Sequence, residues 1–403
     1  MSDVARVEWP RNRSAPLAWL VNESAGERFV ESVFAQLCNR LLAEGLPLDR
    51  ATMQLRTLHP QFMGARMLWR PGLDEAEVRF LNFDFVDNAA FINSPIRALW
   101  EGADGIRKRL DLKLENQPDE YGIYTDLRAE GFTDYVALAM QFTDGRRHAS
   151  TWATKRPGGF TTADLVAIDD LLPVLAMTAE IRLNRRIART LLNTYVGEHA
   201  GSRILAGDIR RGSGSTVRAA IWNSDLRGFT QISETWPRDD VISWLNEYFD
   251  VMAGPVQENG GEILKFIGDG MLAVFPLEGE GACFRALNAA LQARKGMLAL
   301  NERRREQGTF ELGFGLALHV GDVMYGNVGT KERLDFTVIG PAVNVAARLQ
   351  EVAKILKRQL VISAPFAYLC GCSADFLAPL GAFPLRGVGE PLEVFGITAE
   401  RSA

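Results

Sequence analysis

Two aspartates stand where short apolar runs end. Asp269 lies in Gly260–Phe275, which reads GGEILKFIGDGMLAVF. Glu262–Ile267 alternates, with Ile263, Lys265 and Ile267 to one side and Leu264 and Phe266 to the other, which predicts a strand. Met271–Phe275 predicts a second strand, and Gly268-Asp269-Gly270 predicts a tight turn between them, because Gly and Asp tolerate positive φ. Asp269 is therefore expected at a hairpin tip, where a carboxylate suits a hard cation that wants oxygen ligands. Asp225 ends the apolar run Val217–Ser224, where it could equally cap the helix that begins soon after. Lys265 lies mid-strand among apolar neighbours, where an unpaired ammonium is costly to bury; the alternative is an edge strand with Lys265 in solvent. Asn344 and Arg348, four apart in a predicted helix, share one face, either as a reactive pair or as ordinary polar surface. The turn Leu226-Arg227-Gly228-Phe229-Thr230 runs into a helix start, whose N–H groups can cradle phosphate.

The elements that must hold these residues alternate along the C-terminal half. Val217–Ser224 predicts a strand, and Ser233–Val256 a helix with Trp244, Leu245 and Phe249 on its apolar face. After the hairpin come a long helix over Gly281–Glu306 ending in a basic, solvated NERRRE run, and strands over Leu312–His319 and Val323–Gly326. A helix over Val343–Val352 and late strands at Leu360–Ile362 and Leu392–Ile397 complete the set. The order predicts an α+β domain with a βαββαβ core, an antiparallel-containing sheet with helices on one face.

Three stretches, AAIWNSDLRGFT (Ala219–Thr230), KFIGDG and DFTVIGPAVNVAARL (Asp335–Leu349), come in the order and spacing of the class III nucleotidyl cyclase domain, which this chain resembles over about residues 216–400. The family makes cyclic AMP from ATP or cyclic GMP from GTP on a ferredoxin-like fold. The resemblance implies that Asp225 and Asp269, with the main chain at Leu226, hold two Mg²⁺ (or Mn²⁺) ions. It implies that the Leu226–Thr230 turn cradles the triphosphate, and that Arg386 in LRGVGEP matches a basic residue meeting the terminal phosphates. Lys265 and Thr337 fall at the base-selecting positions: Lys can donate to adenine N1 and a Thr hydroxyl can accept from the adenine amino group, which points to ATP. Guanylyl members carry Glu and Cys there. Asn344 and Arg348 match the pair that orients the ribose and stabilises charge on the α-phosphate. The family's sites form between two such domains, so a homodimer with composite sites is implied, with Lys265 and Asp269 serving different sites. Asn223 and Pro341 depart from the usual pattern at positions that are not catalytic. A guanylate cyclase and a catalytically silent nucleotide-binding module are the alternatives.

Residues 1–160 show a different pattern. A lead-in over residues 1–22, broken by Pro10 and Pro16, precedes a helix over Ser24–Glu44. Strand-like pieces follow at Ala51–Leu58, Gly64–Trp69 and Val78–Phe85, then a helix over Ser94–Leu110. Gly122–Asp126, Thr133–Phe142 and His148–Thr154 read as strands again, the last two joined by an Asp144-Gly145 hairpin turn. This order resembles GAF and PAS sensors, so an α/β sensor for a small-molecule or protein effector is expected. Residues 161–215 predict a long helix from a Thr161–Asp164 capping box to about Val196, kinked or split at Pro173, and a Gly- and Arg-rich linker over Gly201–Ser215. Its arginines, Arg182, Arg185, Arg186 and Arg189, form either a solvated face or one side of a dimer-forming signalling helix. Residues 216–403 are the expected catalytic domain.

Composition narrows the rest. A net charge of −5 gives no general pull toward nucleic acid, and no apolar run is long enough to span a membrane, so a cytoplasmic protein is expected. The 4 cysteines are too scattered for a disulfide framework; Cys370-Gly-Cys372 lacks a second half for a metal site and reads as idle thiols. His59, His148, His199 and His319 lack metal spacing.

Overall fold

The computed structural model describes residues 14–112, 121–278, 281–372 and 376–398, and the chain divides into two compact units, Met1–Leu191 and Leu192–Ala403. The first begins with α1 (Ala15–Asn22) and α2 (Val30–Ala43). Ala15–Asn22 is thus helical rather than a loose lead-in: Ser14 caps it at Leu17 N, and Pro16 sits in the first turn, where no N–H is needed. Residues 1–13 lie outside the described residues. Next come β1 (Arg50–Arg56), β2 (Gly64–Trp69), β3 (Glu77–Leu81), α3 (Ala89–Ile92), α4 (Pro95–Glu101), β4 (Gly105–Arg109), α5 (Gly122–Ala129), β5 (Asp134–Gln141) and β6 (Arg147–Thr154). The six strands form one antiparallel sheet in the order β3-β2-β1-β6-β5-β4.

Two expected elements change type here. Ser94–Leu110 is not one helix: Gly102, at φ 133°, ends α4, and the chain returns as β4. Gly122–Asp126 is helical, because Tyr124 and Leu127, three apart, bury one face despite the strand-like run Ile123-Tyr124-Thr125. The Asp144-Gly145 turn joins β5 to β6, with Gly145 at φ 84°.

Helix α6 (Thr162–Val196) runs 35 residues across Pro173 without splitting. Its start is a reciprocal cap: Thr161 N donates to Asp164 at 2.7 Å, and Asp164 N donates to the Thr161 hydroxyl at 3.2 Å. Ile168, Leu171, Leu175, Ala179, Leu183 and Ile187 bury one stripe with α2 and one face of the sheet. The basic face is not simply solvated: Arg182 donates to the carbonyls of Glu27 and Ser24, and Arg186 pairs with Glu31 at 2.9 Å.

The second unit opens with α7 (Glu198–Leu205) and β7 (Gly214–Leu226), so the expected 201–215 linker is helical at its start and strand at its end. Then follow α8 (Phe229–Thr235), α9 (Arg238–Glu258), β8 (Glu262–Ile267), β9 (Gly270–Pro276), α10 (Ala282–Glu306), β10 (Phe314–Gly329), β11 (Leu334–Ile339), α11 (Pro341–Ile355), β12 (Leu360–Ser363), α12 (Ala364–Cys370), β13 (Leu377–Phe383) and β14 (Leu392–Ile397). The single helix expected over Ser233–Val256 is two, because Trp236 is extended and Pro237 has no N–H to continue a ladder.

β10, β7, β9 and β8 are neighbours in that order, each pair antiparallel. With α9 between β7 and β8, and α10 between β9 and β10, this is the βαββαβ ferredoxin-like core. α9 and α10 pack on one face around Tyr248, Met252, Ala286, Ala290 and Phe275. The strands expected at Leu312–His319 and Val323–Gly326 are one, β10. Gly321 within it is a close-approach residue: a Cβ there would meet the Ala342 Cβ of α11 at 2.6 Å.

Candidate active site

Asp225 and Asp269 meet at one end of this sheet. β7 brings Asp225 opposite Gly270 of β9, and Leu226 N donates to the Asp269 carbonyl at 3.3 Å. Gly268, at φ 62°, supplies the positive φ of the turn. Gly270 sits in a tight space, since a Cβ would stand 3.0 Å from the Ser224 carbonyl and 3.3 Å from the Ile267 carbonyl. Burial first, and then the charge of Asp269, push the Asp225 carboxyl above its ordinary range. A like-charged oxygen pair on rigid strand ends matches the donor chemistry of a hard divalent cation. Among the described residues no third carboxylate, His or Cys completes a cluster, so further ligands to a cation here would have to come from main chain, substrate or water.

The Leu226–Thr230 turn divides its work. The amides of Leu226 and Arg227 are engaged by the Asp269 and Gly313 carbonyls, the latter at 2.8 Å. The Arg227 side chain lies against Gly313 and Gly315 and donates to the carbonyls of Ala353, at 3.1 Å, and Arg358. It braces the end of α11. Gly228, at φ 73°, starts α8, so the amides of Phe229 and Thr230 open the first turn, where no intrahelical acceptor exists.

Lys265 stands elsewhere than its alternation predicts. The β8–β9 register shifts between Ile263, opposite Ala273, and Lys265, opposite Leu272. This bulge at Leu264 turns Ile263 and Lys265 to opposite faces. Ile263 packs against the core beside α9, and Lys265 emerges exposed, so no buried-ammonium penalty arises. Its Nζ pairs with Asp335 Oδ2 at 2.7 Å. Asp335 and Thr337 alternate with buried Phe336 and Val338 on β11, so both face the side opposite that core. Asp335 is the residue sequence reasoning missed. Its signal was the same alternation, a carboxylate two before Thr337.

Asn344 is exposed on the first turns of α11, and Arg348 is half-buried one turn on. The Arg348 guanidinium reaches the turn after β13, where a Cβ on Gly387 would stand 3.4 Å from Nη1; Arg386, next in the chain, is exposed. Among the described residues no hydrogen bond or ion pair links Asp225 or Asp269 to Lys265, Thr337, Asn344 or Arg348. The Arg227 brace holds the carboxylate end of the sheet to Ala353, nine residues and about 14 Å along α11 from Asn344.

A second missed group underlies β8. Tyr325 of β10 donates to Glu262 at 2.5 Å, and the His199 ring stands edge-on to Tyr325 at 5.3 Å. Burial raises the Glu262 carboxyl above its ordinary range. The cysteines are free, and burial pushes the Cys283 thiol up to about 11 and Cys370 up to about 12. Buried His319 bonds Ser363 at 2.8 Å.

Residues 213–391 match the family of the adenylate and guanylate cyclase catalytic domain. The chain is 32% identical over 198 residues to an adenylate cyclase of Anabaena cylindrica, spanning 48% of this chain and 39% of that protein. It is 31% identical over 176 residues to adenylate cyclase 1 of Rhizobium meliloti, spanning 43% of this chain and 26% of that one. The chain thus spans well under half the length of these relatives. The solved adenylyl cyclase CyaB from P. aeruginosa is similar at 26% identity over 46% of this chain and 95% of that chain, with a TM-score of 0.42.

Proposed function

Residues 213–391 are a class III cyclase catalytic domain, and from that premise we propose that the protein converts ATP to cyclic AMP and pyrophosphate. The observation that carries the choice of ATP is Lys265, turned outward by the β8 bulge and held by Asp335 beside Thr337. In this reading Lys265 donates to adenine N1 and Thr337 accepts from the adenine amino group. Asn344 orients the ribose, and Arg348 stabilises charge that develops on the α-phosphate as the ribose 3′-oxygen attacks and pyrophosphate leaves. The amides at Gly228, Phe229 and Thr230, with Arg386, hold the outer phosphates.

Asp225 and Asp269, with the Leu226 main chain, would hold Mg²⁺ or Mn²⁺, which when bound neutralises triphosphate charge and eases deprotonation of the attacking hydroxyl. GTP is the second reading, because the Asp335 carboxylate in the same cluster can accept from guanine N1–H.

In this reading the protein is a homodimer in which the carboxylates of one copy meet Lys265, Thr337, Asn344 and Arg348 of the other. Phe266 and Ile267, exposed beside Lys265, give a second copy an apolar edge to cover. In the same reading residues 1–160 form a GAF/PAS-like sensor, and residues 161–215 carry its state to the cyclase domain of a cytoplasmic enzyme. No helix among the described residues is long and apolar enough to cross a membrane.

The test is product formation by the purified chain given ATP or GTP with Mg²⁺ or Mn²⁺. Cyclic AMP from ATP is expected, with turnover abolished in Asp269→Ala. No product from either nucleotide in a folded dimer leaves an off-state awaiting its effector or the silent-module reading. Asp269→Ala and Arg348→Ala chains, each inactive alone, should regain activity when mixed, since one composite site in the mixed dimer keeps every residue; verified mixed dimers without activity would falsify the shared site.

A further inference from the structure

The six-stranded sheet of the first unit has two unlike faces. Met53, Leu55, Met67, Trp69 and Trp152 make the face toward α2 and α6 apolar. The opposite face carries Arg50, Thr52 and Gln54 at alternate positions of the central strand β1, with Arg66 opposite Gln54 on β2 and Thr151 opposite Thr52 on β6. Such a row of polar groups on a covered strand is costly unless each finds a partner. Thr52 and Thr151 satisfy each other at 2.6 Å. Gln54 Oε1 and Arg66 Nε are buried with no hydrogen-bond partner. Neither Arg50 nor Arg66 has an ion pair with a described residue.

These groups line a cavity of about 470 Å³, within the range of small-molecule sites, whose other walls include Phe85, Phe91, Ile96 and Ile123. The lining carboxylate, Asp126, is exposed. The local field is cationic. Burial is the first cause lowering both guanidinium pKa values; Arg66 and Arg70 add to it at Arg50, where Tyr135 and Glu130 oppose it, and Arg79, directly opposite on β3, adds to it at Arg66.

We propose that this cavity binds a small organic anion. Its carboxylate or phosphate lies between Arg50 and Arg66, an N–H or O–H on it donates to Gln54 Oε1, and its flat apolar part rests on Phe85 and Phe91. The guanidinium groups then find charge and the amide oxygen a donor, while Phe85 and Phe91, already packed on one another, offer apolar surface. The proposal does not rest on the cyclase reading, because its readout is binding.

The test uses the full chain. Thermal unfolding and titration calorimetry are followed with para-hydroxybenzoate and with 4-hydroxyphenyl phosphate, against chloride at matched ionic strength, with neutral para-hydroxybenzamide as control. At least one anion should bind once per chain and raise the first unit's melting temperature by about 5 °C at saturation, with no effect of the amide. The arm that responds tells a carboxylate from a phosphate ligand. Arg50→Gln/Arg66→Gln should abolish the rise, and Arg348→Ala, in the other unit, should leave it intact. Should the double variant lose its circular dichroism, Arg66→Gln alone, with its half-buried side chain, serves, with at least a tenfold loss of affinity expected. The proposal falls if neither anion binds, if the amide acts equally, if the rise survives loss of both arginines, or if it vanishes with Arg348.

Discussion

Lys265 shows how a single inserted residue decides what a side chain does. On a regular strand it would share the inward face of Ile263; the bulge at Leu264 turns it out to Asp335. Both partners are about half exposed, so the pair contributes little to stability, on the order of 0–1 kcal/mol. Its value lies in fixing where the ammonium points. Asp335→Asn is therefore expected to leave the melting temperature nearly unchanged while raising KM for ATP about fivefold and narrowing the preference for ATP over GTP. Nucleotide kinetics beside calorimetry check this, and a large stability loss with unchanged kinetics would make the pair structural. The residue types at this site were legible in the sequence: Asp225 at a strand end, Asp269 in a hairpin turn, and Asn344 with Arg348 on one helix face are all where local pattern puts them. The orientation of Lys265 was not, because a bulge leaves no mark in an alternation of two. Nor was the role of Arg227, whose acceptors at Ala353 and Arg358 lie more than a hundred residues away.

Elements failed where a local signal competed with packing. Gly321 looked like a strand break and is the point where α11 crosses β10. Ile123-Tyr124-Thr125 looked like a strand and is a helix turned by the burial of Tyr124 and Leu127. The basic end of α10 is the sharpest case. The run Arg303-Arg304-Arg305 reads as solvated, yet Arg304 is 3% exposed. Its guanidinium lies over Trp244 and Phe310, donates to the Phe310 carbonyl at 3.0 Å and pairs with Glu247 at 2.8 Å. Glu247 is 43% exposed, which tempers the ion-pair part, so packing and the carbonyl bond dominate. Arg304→Ala should lower unfolding free energy by about 2–3 kcal/mol, Arg304→Met by less, and Arg303→Ala within about 0.5 kcal/mol. Denaturant unfolding of the three variants checks the order, and equal effects would mean the run is solvated after all.

At the scale of the molecule, each unit buries one histidine in its neutral form. His148, 1% exposed, accepts from Arg56 N at 3.0 Å and lies tilted against Phe142, the ring centres 3.9 Å apart. His319 is 8% exposed. Burial is the first cause lowering each to about 4. Around His148, Asp144 and Glu180 pull the other way while Arg146 and Arg56 reinforce the shift. Above the ordinary histidine value of about 6.5 neither folded nor unfolded chain is protonated, and the full stability is present. Below it the unfolded chain takes up protons that the folded chain refuses until about pH 4, so stability is lost as pH falls across that window. Between pH 7 and pH 5 each site should cost about 2 kcal/mol, and both units should weaken together. His148→Gln should flatten the acid limb of the first unit's melting temperature alone, and His319→Gln that of the second. Calorimetric scans of the full chain at pH 7.5, 6 and 5 separate the two transitions. An acid limb equally steep in both variants would place the lost protons on other groups, and a flat limb in the unmodified chain would mean that acid reaches both imidazoles while the fold stands.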